Sequence, residues 1–141
     1  MTIFVHILAT LLGINILNLS GDAVMLAIIF GVCLDLDHLL KVPMYLKKYG
    51  LRMVISYPWR TPLQEPISLL WVAPLCAYLH TWVPLAFFSL HIALDYLMSY
   101  PKKPFSPLHN FEIRKNPLGI PDASKEGAAL LVFICLNLLA L

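Results

Sequence analysis

Charge is what this sequence has least of. Asp, Glu, Lys and Arg make up 13% of its 141 residues, hydrophobic residues make up 60%, and the mean hydropathy is +0.78. A soluble domain of this length needs more charge to cover its surface, so composition predicts an integral membrane protein. The net charge of +2 is too small for a nucleic-acid partner. Cysteine is scarce as well. Cys33, Cys76 and Cys135 are far apart in apolar runs, with no CxxC, and an odd count excludes a disulfide framework. They read as small buried hydrophobes. No basic stretch precedes the first apolar run and no small-residue cleavage site follows it, so residues 2–19 are expected to be a retained helix rather than a leader. Repeats, low-complexity tracts and a second domain are absent, which predicts one helical domain over 1–141.

What is present is a set of apolar segments: 2–19, 22–41, 66–81, 83–100 and 126–141. Each approaches the roughly 20 residues that a spanning helix needs. The expected fold is an all-α bundle of about five transmembrane helices. Residues 42–65 mix Tyr45, Tyr49, Tyr57 and Trp59 with Lys47, Lys48 and Arg52, which predicts an interfacial segment between helices 2 and 3. Residues 101–125 form a proline-stiffened loop. In this topology Lys and Arg all fall on one side. The positive-inside rule then puts the N-terminus in the cytoplasm and the protein in the cell membrane.

The polar exceptions to the apolar runs gather on that same side. His6 is near the start of the first helix. Asp35, Asp37 and His38 end the second, in "GVCLDLDHLLK". Glu65 opens the third, and His91 and Asp95 lie in the fourth. A charged side chain near a membrane-helix centre costs at least about 2.5–3.5 kcal/mol, so such groups persist when paired or bound to an ion. His91 and Asp95 share a helix face at i,i+4, and Asp35 and His38 share one at i,i+3. A lone H-x-x-x-D or D-x-D-H is a weak signal, because carboxylate–histidine hydrogen bonds are common in cores. Together these residues supply more oxygen and nitrogen donors than nearby positive charge, which predicts one or two divalent metal ions. Mixed imidazole and carboxylate ligation suits zinc, manganese or iron. The candidate ligands are His6, Asp35, Asp37, His38, Glu65, His91 and Asp95. His80 reads as an interfacial histidine beside Trp82, and His109 as a solvated loop residue.

The order of an early His6, "DLDH" (35–38), Arg60 before a third helix, H-x-x-x-D at His91 and Asp95, and "KPFSP" (103–107) resembles the membrane-bound metal-dependent hydrolases. That group includes a LexA-regulated bacterial inner-membrane protein. It is similar in motif to zinc-dependent phospholipase C and P1-type nucleases. The resemblance covers about residues 3–108. It departs at "WRTPLQEP" (59–66): Trp59 stands where the family has a histidine, and Gln64 and Glu65 stand near a second. The resemblance implies metal-assisted hydrolysis of a phosphoester, in a membrane lipid or an amphipathic substrate at the cytoplasmic face. Asp37 or Glu65 would take the proton of the attacking water. Arg60 with Lys102 or Lys103 would hold the phosphate, at the rim of a cavity that contains the metal. The alternatives are an ion or proton transporter built on the His/Asp cluster, and an inactive lipid-binding scaffold.

Overall fold

The computed structural model describes residues 2–36, 43, 46–47, 61–98, 101–109, 111–113 and 118–140. Among the described residues, five α-helices have bounded ends: α1 (Ile3–Ile16), α2 (Asp22–Gly31), α3 (Leu69–Leu79), α4 (Val83–Tyr96) and α5 (Asp122–Leu139). Short 3-10 turns occupy Cys33–Leu36, Pro62–Gln64 and Pro66–Ser68. An antiparallel bridge joins Lys102 to Ile113.

The all-helical order agrees with the five apolar segments, but the expected spans do not form. Among the described residues no helix is long and apolar enough to cross a membrane. The reason lies at the helix ends. The first run stops at Ile16, and Asn18 turns the chain in a left-handed conformation. The second leaves the α-helix after Gly31. The third begins only after the 3-10 turn at Pro66 and stops at His80, which is also left-handed. The helices α1 to α4 have 14, 10, 11 and 14 residues. At about 1.5 Å per residue they fall short of the roughly 30 Å hydrocarbon core. The helix α5 has 18 residues, but Asp122, Lys125 and Glu126 are in its first turns. The five-span topology, the cytoplasmic N-terminus and the cell-membrane location are therefore corrected. Most of the expected interfacial segment lies outside the described residues.

The helix α4 is the centre of the packing. It contacts α1, α2 and α3, and α1 also lies against α2 and α5. Pro84 sits in the first turn of α4, where its missing N–H removes no intrahelical bond. The main core brings Ala27 and Phe30 of α2 and Val72 of α3 against Val83, Phe87, Phe88 and Ile92 of α4. Burying each phenylalanine contributes about 1.5–3 kcal/mol. A smaller cluster joins Val5 and Ala9 of α1 to Leu94 of α4. Large apolar side chains also face outward, among them Leu70, Tyr78, Leu131 and Leu138.

Two glycines let α1 approach its neighbours. A Cβ on Gly13 would come within 2.9 Å of the Phe87 ring. A Cβ on Gly31 would overlap Thr10 Oγ1, and Thr10 is itself buried. Gly31→Ala should therefore cost about 1–3 kcal/mol, the usual range for overpacking. Thr10→Ala in the same chain should recover part of the loss. Urea denaturation of the single and double variants checks this, and an unchanged midpoint for Gly31→Ala would show that the contact is loose.

Candidate metal centre

The close approach of α1, α2 and α4 brings four chemically active side chains together. His6 comes from the first turns of α1, and His91 and Asp95 from the last turns of α4. Asp35 comes from the turn Cys33–Leu36, where the chain has left α2. His6, His91 and Asp95 are buried, and the Asp35 side chain is 12% exposed.

The helix end of α2 orients the first histidine. The last carbonyls of a helix have no intrahelical donor. The carbonyl of Gly31 instead accepts a hydrogen bond from His91 Nδ1, at 3.0 Å. A carbonyl can only accept, so the Nδ1 atom carries the proton. Burial pushes the His91 pKa down to about 4, with His6 adding to the effect and Asp95 and the Gly31 carbonyl opposing it. The ring is therefore neutral at pH 7, and its Nε2 presents a lone pair. That lone pair faces Asp35 Oδ1 at 3.5 Å and Asp95 Oδ2 at 3.9 Å. The Nε2 atom is buried and makes no hydrogen bond among the described residues. A lone pair directed at carboxylate oxygens is repulsive unless a cation lies between them.

The second histidine points to the same place. Its ring stacks on His91 with centroids 4.0 Å apart and planes 17° from parallel. Its Nε2 lies 3.2 Å from Asp95 Oδ1 and 3.8 Å from Asp35 Oδ2. Donor atoms of His6, Asp35 and His91 all fall within 4.8 Å of one another, and this group can hold a metal ion. In a tetrahedral zinc site with bonds of 2.0–2.2 Å, neighbouring donors sit about 3.3–3.6 Å apart. The nitrogen–oxygen separations here, 3.2 to 3.9 Å, bracket that spacing without any ion in place.

Glu65, Lys102 and Lys103 have other partners. Glu65 is buried, but its carboxylate accepts hydrogen bonds from the Tyr96 hydroxyl at 2.7 Å and from the Lys103 backbone N–H at 3.1 Å. It ties the loop after α4 to the start of α3, and is outside the His6, Asp35, His91 group. Lys102 is also buried. Its ammonium donates to the Tyr96 carbonyl at 2.7 Å and lies 5.4 Å from the centre of the Tyr96 ring. Lys103 extends toward Glu112 at 4.0 Å. Asp37, His38 and Arg60 lie outside the described residues. A groove of about 520 Å³ is lined by Ile67, Phe105, Leu108, His109 and Phe111.

Sequence reasoning passed over two contributors. One is the Gly31 carbonyl, which no side-chain pattern reveals. The other is Gln64, noted only for its place near a family histidine. Its Nε2 donates to Asp35 Oδ1 and to the Leu34 carbonyl, each at 3.2 Å.

No protein-family model, curated protein or solved structure matches this chain. The chemistry of the site therefore rests on its own residues.

The depressed His91 pKa has a definite consequence for the metal-free chain. Between pH 6.5 and about 4 the unfolded state binds a proton at His91 that the folded state does not. Its stabilising contribution is full above pH 6.5 and is lost as pH falls toward 4, by roughly 3 kcal/mol in all. Denaturation of the metal-free protein at pH 7 and at pH 4.5 should show this loss, and His91→Gln should flatten it. Equal slopes for both chains would contradict a buried neutral His91.

Proposed function

We propose that this protein is a metal-dependent hydrolase, with a divalent ion, zinc, held by His6, Asp35 and His91. The observation that carries this reading is the His91 Nε2 lone pair, buried without a hydrogen bond among the described residues and turned toward two carboxylates. Neutral imidazole and carboxylate are the donor types of catalytic zinc. Held by these three donors, such an ion would supply an activated water, with its pKa lowered toward about 7.

Asp95 is the base in this reading. Its Oδ1 lies 3.2 Å from His6 Nε2 and its Oδ2 lies 3.9 Å from His91 Nε2, so the carboxylate borders the ion position. It takes the role expected of Asp37 or Glu65; the oxygens of Glu65 are engaged by Tyr96 and Lys103. A phosphoester is the substrate class that the resemblance through "DLDH" and H-x-x-x-D implies. Of the residues expected to hold its phosphate, Lys102 and Lys103 face Tyr96 and Glu112 instead, and the ion would supply phosphate-binding charge.

One observation favours a second reading. Asp95 lies beside both histidines and is buried with them. As a fourth ligand it would close the site, and the ion would then staple α1, the Asp35 turn and α4 together without catalysis.

Asp95→Asn separates the two readings. In the hydrolase the variant keeps stoichiometric zinc and loses hydrolysis by about 100-fold or more, the usual weight of a general base. In the staple the variant loses zinc affinity, and the stability gained on adding zinc falls with it. The measurement is zinc content and turnover of bis(p-nitrophenyl) phosphate and p-nitrophenyl phosphate by the zinc-loaded chain. Stoichiometric zinc with no turnover of either ester would overturn the hydrolase reading.

A further inference from the structure

We propose that Gln64 is a positioning residue for the metal site, holding Asp35 so that this carboxylate coordinates the ion through one oxygen. The proposal rests on the reading of His6, Asp35 and His91 as metal ligands. It does not depend on hydrolysis.

Gln64 is completely buried. Both of its hydrogen bonds to the Asp35 turn leave the same nitrogen, one to the Leu34 carbonyl and one to Asp35 Oδ1. An amide nitrogen has two N–H groups, and these two acceptors match them. Because both partners are oxygens that can only accept, the orientation of the amide is decided as well. Leu34 and Asp35 are consecutive. One side chain therefore grips the backbone of the turn and the carboxylate it carries at the same time.

The platform beneath Gln64 is stiff. Pro62 and Pro66 flank it, each at the start of a 3-10 turn. The Ser68 hydroxyl donates to the Pro62 carbonyl at 2.9 Å and closes the segment on itself. The amide thus reaches Asp35 from a fixed base rather than from a mobile loop. Groups that orient a metal ligand in this way typically carry a 10–100-fold share of metal affinity.

A neutral donor suits the task. An ammonium at this place would cancel the negative charge that attracts the ion, and a carboxylate would repel Asp35. The amide leaves the Asp35 charge intact and only directs it. Oδ1 spends one of its lone pairs on the amide N–H, which biases the ion toward coordination through Oδ2 alone.

Two measurements test this. In the first, zinc affinity is determined by competition with a chromophoric chelator for the wild-type chain, Gln64→Met and Gln64→Glu. The expected result is a 10–100-fold loss for Gln64→Met and at least as large a loss for Gln64→Glu. Circular dichroism of the metal-free variants should match the wild type. In the second, infrared difference spectra are recorded on wild-type protein labelled with ¹³C at the aspartate carboxylates. Zinc binding should produce the wide stretching separation of a one-oxygen carboxylate. A two-oxygen signature in the wild type overturns the proposal without any variant. Unchanged affinity in a folded Gln64→Met overturns it too, while the wild type still binds zinc and the ligand assignment stands. A wild-type chain that binds no zinc overturns both.

Discussion

The hydrogen bond from His91 Nδ1 to the Gly31 carbonyl is the interaction on which the site depends. It uses an acceptor that the end of α2 leaves unmatched. It also settles the tautomer of His91 and sends the Nε2 lone pair toward Asp35 and Asp95. Without it the ring could rotate and donate to a carboxylate, and the cluster would be an ordinary buried histidine–aspartate pair. With it, two imidazoles and two carboxylates converge, and His6, Asp35 and His91 form a group that can hold a metal ion.

That hydrogen bond requires close helix packing. Gly31 must lie against Thr10, and Gly13 against Phe87, for α1, α2 and α4 to meet. Phe87 and Phe88 then fill the space beside the site on α4, in the same helix that carries His91 and Asp95. The sequence places core and chemistry on one element, so the position of the ligands follows from the packing of the phenylalanines one and two turns earlier. The Glu65, Tyr96 and Lys102 network anchors the next stretch of chain at the end of that helix. Gln64, adjacent in sequence to Glu65, faces the other way and grips the Asp35 turn. Two neighbouring residues thus connect the 61–68 segment to both sides of the site.

The chemically active residues were legible because the physics that marks them is the same in any low-dielectric setting. A His and an Asp interrupting an apolar run must find partners, whether lipid or protein surrounds them. His91 and Asp95 share a face through the i,i+4 spacing, and Asp35 is the acid nearest the break after α2. Helix length was not legible. Hydropathy counts apolar residues and overlooks where a helix stops, and here Asn18, Gly31, Pro66 and His80 stop the helices early. The role of Glu65 was hidden for another reason. Its partner Tyr96 is 31 positions away, and no local pattern announces that contact. The Gly31 carbonyl was invisible because every residue but proline carries the same backbone groups, and only the fold decides which of them is left over.

The most direct test of the account is anomalous scattering at the zinc edge from crystals of the zinc-loaded chain. The account predicts a peak about 2.0–2.2 Å from His6 Nε2, His91 Nε2 and an Asp35 oxygen, with His91 Nδ1 still on the Gly31 carbonyl. No peak between these residues, with His91 Nε2 instead donating a proton to Asp35 or Asp95, would contradict it.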